Sequence, residues 1–524
     1  NTTRKARVEV CQELGDMREA SSGRYLGLPM AIGRSKNQVF GYIKSSIMKK
    51  LKGWKNKMLS PAGKEVLIKS VIQAMPNYAM ACFKLPKGLC KEICKCIANF
   101  WWGSGQQDRK MHWLSWKKLS EVKGKGGLGF RDLEAFNEAL LAKQLWRILT
   151  SPNLLMSKVL RAKYLKDPNA LDKNPPQSAS WSWKSVHSAG RLIQRGMWKR
   201  IGDGSQVNIW KDRWIMGTRT GTVTTSRAPN CQIQTVNQLI KRGRWNAEII
   251  KQILNPEDSM KITSMPLSCF RRKDRLFWSF SKSGQYTVKT GYANVVQERS
   301  NEMRRDRIGE ETSWKIRKHS FWKSLWKLNL KHKLKLFIWR SLQNSLATKE
   351  TIYSITGKGD RICSGCGEDV ETMEHMFFKC PIAQKVWKVA PVRWDGLQDL
   401  QNNLWRWWEA VSQTEKMEKG KERICLTANI LWQRWKARNK AQFEKEKGEA
   451  RKIIGKAQQE WTEYEEVIGR ERKDREGGIG SDQQRRVRES PKEGIIRIHT
   501  DAAISAKLIR TGKGIIARHW TGEI

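Results

Sequence analysis

The sequence predicts a multidomain, mainly helical α+β chain with small β-hairpins between the helices. The chain has 524 residues, a length that suggests three or four domains instead of one core. Hydrophobic residues make up only 39%, but 26 Trp supply packing surface in large units. Apolar residues return at helical spacing in most long segments, and strand-like alternation is confined to short ones. We therefore expect several small helical cores joined by polar segments.

Charge is the strongest compositional signal. Lys and Arg total 100 against 51 Asp and Glu, which gives a formal net charge of +49. Such a charge opposes compaction unless a polyanion neutralises it, and nucleic acid is the usual polyanion. The alternative is a basic chain with no such partner. A membrane is disfavoured, because the cations are spread along the whole chain and no apolar run reaches the ~20 residues of a bilayer span.

Residues 1–103 read as a helical region. Ser60 can cap a helix and Pro61 suits its first position, and apolar residues then recur at helical spacing. The pattern KGLCKEICKCIANFWWG forms a second helix. It contains three cysteines without a nearby histidine, which we interpret as small apolar packing residues: Cys90, Cys94 and Cys96.

Residues 104–296 read as a connector of helices and β-hairpins. The stretch GKGGLGF lacks the ending of a phosphate loop and the strand that precedes a dinucleotide site, so we predict a turn leading to a helix capped by Asp132. Hairpin turns are predicted at Asp203–Gly204 and Ser283–Gly284. Residues 297–313 carry almost no apolar side chains and are predicted to be a linker.

Residues 314–390 contain a cysteine cluster, ICSGCGEDVETMEHMFFKCP. Cys363, Cys366, His375 and Cys380 have the spacing C-x2-C-x8-H-x4-C. Three thiolates and one imidazole are a ligand set that Zn²⁺ prefers, and four protein ligands leave no position for water or substrate. We therefore predict a structural zinc, which can contribute on the order of 10 kcal/mol to the folding of so small a core. The alternative is a chance grouping of four reactive side chains.

The rest of the chain is predicted as Trp-rich helices over 391–443, a charged linker that is either flexible or a frayed helix over 444–493, and strands over 494–524. The sequence shows no signal peptide, and we expect both of its ends to be cut points of a longer protein. The 11 cysteines are odd in number and unevenly spaced. This pattern favours a reducing compartment, nuclear or cytoplasmic.

The cysteine cluster and the helix before it resemble the zinc-binding module of plant-type non-LTR (LINE-like) retrotransposon reverse transcriptases. The motif W-x-x-L-W-K-L occurs at 322–328, K-x-F-x-W-R at 335–340, and Pro381 and Trp387 follow the last cysteine. The stretches YLGLPMAIGRSK, NFWWG and GGLGFRDLEAFNEALLAKQLWR resemble the segment after the polymerase palm of the same elements, with 1–103 as a post-palm, thumb-like region. The final IHTDAA resembles the first strand of their RNase H-type α/β domain.

This resemblance implies a parent protein that copies RNA into DNA and degrades the RNA strand. The palm carboxylates of that family include an Asp-Asp pair, and no such pair occurs here. The RNase H site of the family needs about four carboxylates that bind two Mg²⁺ ions. Asp501 matches the first of them, so Mg²⁺ is expected only if that domain is complete. Without the resemblance, Asp501 would be interpreted as an ordinary acid at the end of a strand.

Three functions follow from these observations. The first is a retrotransposon-derived fragment that binds RNA, DNA or an RNA–DNA hybrid and is inactive as an enzyme alone. The second is a ribonuclease H completed by sequence outside this chain, and the third is a zinc-stabilised scaffold for unknown protein partners. Basic residues beside the zinc module and in the thumb-like region are the candidate nucleic-acid contacts: Lys55, Lys57, Lys64, Lys331, Lys333, Lys335 and Arg340.

Overall fold

The structure is a computed structural model of the chain, and it is mainly helical with few short strands. It describes residues 4–13, 15, 23–30, 32–55, 59–103, 111–167, 170–216, 218, 220–267, 272–305, 321–446, 448–477, 497–505 and 510–518. One compact unit comprises Asn1–Cys363, Glu368–His375 and Asp395–Lys421, and the other Ser364–Gly367, Met376–Trp394 and Glu422–Ile524. No helix among the described residues combines the length and apolar composition that a membrane crossing requires.

The helices of the described residues are α1 (Arg4–Glu13), α2 (Lys36–Lys55), α3 (Pro61–Leu67), α4 (Asn77–Cys82), α5 (Lys87–Trp102), α6 (Trp116–Ser120), α7 (Leu133–Thr150), α8 (Leu155–Tyr164), α9 (Trp181–His187), α10 (Gly190–Gly196), α11 (Ala247–Ile253), α12 (Pro256–Thr263), α13 (Val288–Arg305), α14 (321–327), α15 (His332–Leu342), α16 (Lys349–Thr356), α17 (Pro381–Val389), α18 (Leu404–Gln413), α19 (Gly420–Phe443) and α20 (Ala450–Gly477). The strands are β1 (Arg24–Tyr25), β2 (Leu28–Pro29), β3 (Met197–Arg200), β4 (Ile240–Lys241), β5 (Arg244–Trp245), β6 (Arg275–Trp278), β7 (Arg497–Ser505) and β8 (Arg510–Arg518).

Two predicted helix starts are confirmed. Ser60 caps α3 by accepting a hydrogen bond from the Gly63 amide at 3.2 Å. Asp132 caps α7 by accepting one from the Ala135 amide at 3.0 Å. In both helices a short polar side chain satisfies an amide of the first turn, which has no partner within the helix. The predicted turn before Asp132 is therefore also in place.

The turn at Gly126 joins the segment before α7 to the helices before the cysteine cluster. Gly126 has φ +85°, a backbone conformation that favours glycine. Its carbonyl accepts hydrogen bonds from Trp339 Nε1 at 2.9 Å and from Gln343 Nε2 at 2.8 Å. A Cβ at this position would lie 2.6 Å from Trp322 Nε1, so no larger residue fits without movement of that indole. Glycine is thus required by both conformation and space.

A buried charge cluster connects α3 to α15. Glu65 is 3% exposed, and its carboxylate contacts Lys69 Nζ at 2.6 Å, Lys123 Nζ at 2.8 Å and His332 Nε2 at 2.9 Å. Burial disfavours the charged carboxylate. The hydrogen bond from His332, the charge of Lys69 and the hydrogen bond from Lys123 outweigh it, and the pKa of Glu65 falls to about 2. The cluster therefore keeps Glu65 ionised inside the protein.

The prediction of β-hairpins with turns at 203–204 and 283–284 is wrong, because among the described residues no pair of strands is joined at either place. Strand β3 instead pairs antiparallel with β6, from Met197↔Trp278 to Arg200↔Arg275. After β3 the backbone is held by a side chain, because the Asp274 carboxylate accepts hydrogen bonds from the amides of Gly202, Gly204 and Gln206. The hydrogen bonds that a second hairpin strand would supply to this backbone are thus supplied by the Asp274 carboxylate.

Short hairpins do occur at two other places. Strands β1 and β2 are joined by Leu26–Gly27, and β4 and β5 by Arg242–Gly243. All four turn residues have positive φ, between 49° and 79°. This is the two-residue turn whose twist matches that of antiparallel strands. The first turn position holds Leu26 or Arg242 where Asn or Asp is usual, so the sequence lacks the common two-residue hairpin signal at both places.

Two clusters of buried apolar side chains lie in the described part of the first unit. Helices α7, α9, α10 and α13 and strand β6 share one, built around Trp146, Trp183 and Trp278. A second cluster around Trp214 packs the segment 207–215 against α11 and α12. Both clusters are therefore built around large aromatic side chains, as the Trp-rich composition indicated.

The predicted linker at 297–313 is corrected over its first nine residues, where α13 continues to Arg305. Val295 of this helix is buried, and Arg299 forms ion pairs with Asp132 at 3.2 Å and Glu138 at 3.7 Å. One apolar face and these ion pairs fix the helix, although its composition is polar. The remainder, 306–313, lies outside the described residues.

The second unit contains α17, α20 and nearly all of α19. The segment 444–493, predicted as a flexible or frayed-helix linker, is helical over 450–477, where it forms α20. Ile453, Ile454 and Ala457 of α20 are buried in a cluster with residues of α17 and α19. This apolar spacing within a charged segment was not recognised in the sequence. Residues 478–493 lie outside the described residues.

The last described element is an antiparallel pair, β7 and β8, with Asp501 opposite Gly514 in its register. The strand predicted around RIHTD is thus present, and Asp501 lies at its middle.

Candidate metal centre

The predicted zinc ligands lie together. The ligand atoms of Cys363, Cys366, His375 and Cys380 are all within 4.8 Å of one another. Cys363, His375 and Cys380 are buried, and Cys366 is half-buried. Ligand atoms that bind a single tetrahedral ion at 2.0–2.3 Å must lie within a few ångströms of each other. The grouping therefore meets the main geometric requirement of one shared ion.

A tight turn presents the first two cysteines. The Cys363 amide donates to the Asp369 carbonyl at 2.7 Å, and the Glu371 amide donates to the Arg361 carbonyl at 2.9 Å. Ile362 and Val370 form an antiparallel bridge between these two bonds. Gly367, with φ +76°, reverses the chain inside the turn. The two thiols are thus held on a short loop whose ends are fixed by backbone hydrogen bonds.

The other two ligands come from a short π-helical turn, His375–Lys379: His375 is its first residue and Cys380 follows its last. The His375 amide donates to Thr372 Oγ1 at 3.0 Å, and His375 Nδ1 lies 3.6 Å from the Asp369 carboxylate. Cys380 is the residue before α17, and Pro381 occupies the first helical position. A carboxylate near a ligating imidazole is a common means of orienting the ring.

Two glutamates of the same segment fix neighbouring helices. Glu371 is fully buried, and its Oε2 accepts from the Lys349 amide at the start of α16 at 2.9 Å. Glu374 Oε1 accepts from the Leu404 amide at the start of α18 at 3.1 Å. A carboxylate at a helix N-terminus accepts hydrogen bonds from amides that have no partner in the helix, and its negative charge is attracted to the positive end of the helix dipole. Neither residue was predicted from the sequence, since glutamates in a polar loop carry no signal of the distant helices that they cap.

The donor set fits zinc. Sulfur and imidazole donors are those that Zn²⁺ prefers, and four of them fill a tetrahedral shell. When bound, such an ion would cross-link the turn at 363–366 to the turn at 375–380. The protein's own contribution is to hold the loop by backbone bonds and to bury most of the donors. The arrangement is that of a structural centre.

Three of the seven residues predicted to contact nucleic acid donate hydrogen bonds to backbone carbonyls of the protein itself. Lys64 donates to the Gly103 carbonyl, and Lys335 Nζ donates to the Trp326 carbonyl at 3.0 Å. Arg340 donates to the Ser345 carbonyl at 2.9 Å, and burial lowers the pKa of its guanidinium to about 10. These three cations have structural roles in the described chain. The remaining candidates are Lys331 and Lys333, which are half-buried, Lys55 at the end of α2, and Lys57, which lies outside the described residues.

Comparisons with known proteins agree with this site. The family model described as zinc-binding in reverse transcriptase matches residues 286–387. A putative ribonuclease H protein of Arabidopsis thaliana is 28% identical over 375 residues, which is 70% of this chain and 58% of that protein. An uncharacterized mitochondrial protein of Arabidopsis thaliana is 44% identical over 144 residues, which is 27% of this chain and 94% of that protein.

The family match begins at Tyr286, 28 residues before the module boundary predicted at 314, and so includes α13. The match contains Cys363, Cys366, His375 and Cys380, the four residues that the structure brings together. Taken with the two relatives, this match shows that the chain belongs to the family of retrotransposon reverse-transcriptase-related proteins.

Proposed function

We propose that the chain is a retrotransposon-derived fragment that binds RNA, DNA or an RNA–DNA hybrid, braced by a structural zinc. The observation that carries this function is the charge, 100 basic against 51 acidic residues, in a member of a reverse-transcriptase-related family. Phosphates neutralise such a surface, and binding releases the counterions that surround the nucleic acid. The odd number and uneven spacing of the cysteines support a nuclear or cytoplasmic, reducing location as part of this proposal.

Affinity for nucleic acid should fall steeply with salt. For binding to about six phosphates of a single strand, the logarithmic slope of affinity against salt is expected near −4. The measurement is fluorescence anisotropy with the full, zinc-loaded chain and labelled RNA or DNA between about 50 and 200 mM salt. Negligible affinity at the lowest salt would contradict the proposal and favour a scaffold for protein partners.

Ribonuclease H activity is the second candidate, because one relative is named a putative ribonuclease H protein and Asp501 lies in strand β7 of the β7–β8 pair. A two-metal site needs several carboxylates around two Mg²⁺ ions, and Asp501 is a single one. We expect no Mg²⁺-dependent cleavage of an RNA–DNA hybrid by this chain alone. If cleavage is seen, Asp501→Asn should abolish it, and activity that survives this change belongs to a contaminating nuclease.

A further inference from the structure

A groove lies along α2 where this helix packs against α5. The groove has a volume of about 870 Å³. Phe40, Ile43, Ile47 and Leu51 form the opposite, buried face of α2 and hold the helix in the core. The side chains that matter most for the groove face are Asn37, Tyr42, Lys44, Met48, Lys49 and Lys52. From Asn37 to Lys52 the helix rises about 22 Å, so the groove is an extended track.

The two helices are unusually basic. Helix α2 contains six lysines and no acid, and α5 adds three lysines and one acid, Glu92. Glu92 pairs with Lys44 at 2.6 Å. Lys49 and Lys52 are exposed, and within the described part of the chain neither takes part in an ion pair. Cations without acidic neighbours repel one another, and an anion in the groove would relieve this repulsion.

The groove also offers aromatic surface. Tyr42 is half-buried in its wall, and the guanidinium of Arg24 stacks over the Tyr42 ring at 3.9 Å. Guanidinium planes and aromatic rings are the surfaces on which unpaired bases stack. Bases in a duplex are already paired and stacked on one another, so only an unpaired base can stack on the Arg24–Tyr42 pair. A groove of this kind suits one strand better than two.

We propose that the groove binds single-stranded nucleic acid, with backbone phosphates on Lys49 and Lys52 and a base stacked on the Arg24–Tyr42 pair. This inference rests on the proposed nucleic-acid binding and adds its location and the form of the ligand. None of the groove residues was among the candidates chosen from the sequence. The available signal was the run of six lysines without an acid over α2.

The test uses the full, zinc-loaded chain and a labelled single strand of about 20 nucleotides, as RNA and as DNA. The variant Lys49→Gln/Lys52→Gln should bind roughly tenfold more weakly, and its salt slope should be shallower by about 1.4, since each phosphate contact on a single strand contributes about 0.7. The matched control is Lys241→Gln/Lys251→Gln, which removes two exposed lysines of β4 and α11. The control should retain the wild-type slope.

A second variant is expected to bind the single strand more tightly than the wild type. Glu92→Gln removes the acid of the groove and should tighten binding a fewfold, a result that a purely structural role of these residues does not produce. An unchanged slope in Lys49→Gln/Lys52→Gln overturns the groove while leaving the proposed function intact. Equal or tighter binding of a duplex of the same sequence overturns the single-strand assignment. Absence of binding by the wild-type chain defeats the proposed function itself.

Discussion

Replacing Cys363 and Cys366 together by Ser is expected to reduce bound zinc from about one ion per chain to a trace. A hydroxyl is a poor zinc ligand, and two remaining donors cannot enclose the ion. Loss of the ion removes a cross-link worth on the order of 10 kcal/mol to a core that is small without it. Elemental analysis gives the zinc content, and hydrogen exchange over residues 362–389 should show the loss of protection.

The control for this change is Cys94→Ser/Cys96→Ser in α5. These two thiols are half-buried, and burial raises the pKa of each, to about 12 for Cys94, so neither is a thiolate ready to bind metal. The control variant should keep one zinc per chain. Wild-type zinc content in the Cys363→Ser/Cys366→Ser protein would refute the ligand assignment, and zinc loss in the control would place metal elsewhere.

Glu65→Gln is expected to destabilise the first unit by about 3–5 kcal/mol, because it leaves Lys69 and Lys123 facing each other without their shared carboxylate. Hydrogen exchange during urea unfolding at neutral pH, read on the peptides of α3 and α15, measures the loss where the cluster lies. The half-exposed pair Lys118–Glu121 offers a control that is much less buried than Glu65. Glu121→Gln should cost less than about 1 kcal/mol.

The same cluster predicts a pH dependence. The folded pKa of Glu65 is about 2 and its ordinary value is 4.5, so the group stabilises the fold fully above pH 4.5. This stabilisation, about 3 kcal/mol, is lost as the pH falls from 4.5 through 2. The difference in unfolding free energy between wild type and Glu65→Gln should therefore shrink over that interval. A difference that stays constant would mean that Glu65 is not ionised in the folded protein.

The sequence predicted the parts of this molecule that are encoded locally. The four zinc ligands are within 18 residues of one another, and the caps at Ser60 and Asp132 act on the turns that follow them. Such features depend on spacing along the chain, and spacing is visible without a structure. The mainly helical class followed for the same reason, because apolar periodicity is a local property.

The features that escaped prediction depend on residues far apart. Strand β3 pairs with β6 about 75 positions later, and the turn after β3 is held by Asp274. Glu371 and Glu374 cap helices that begin elsewhere in the chain. The inward positions of Lys64, Lys335 and Arg340 are set by carbonyls that no pattern identifies. The polar composition of α13 and α20 likewise indicated linkers, because the buried face of each helix consists of few residues.

The Glu65–His332 contact spans 267 positions of the chain. At a synthesis rate of about 5–20 residues per second, His332 leaves the ribosome roughly 13–50 s after Glu65. During that interval the nascent N-terminal helices lack one of the groups that compensate a carboxylate destined for the interior. Completion of the packing around Glu65 must therefore wait for α15.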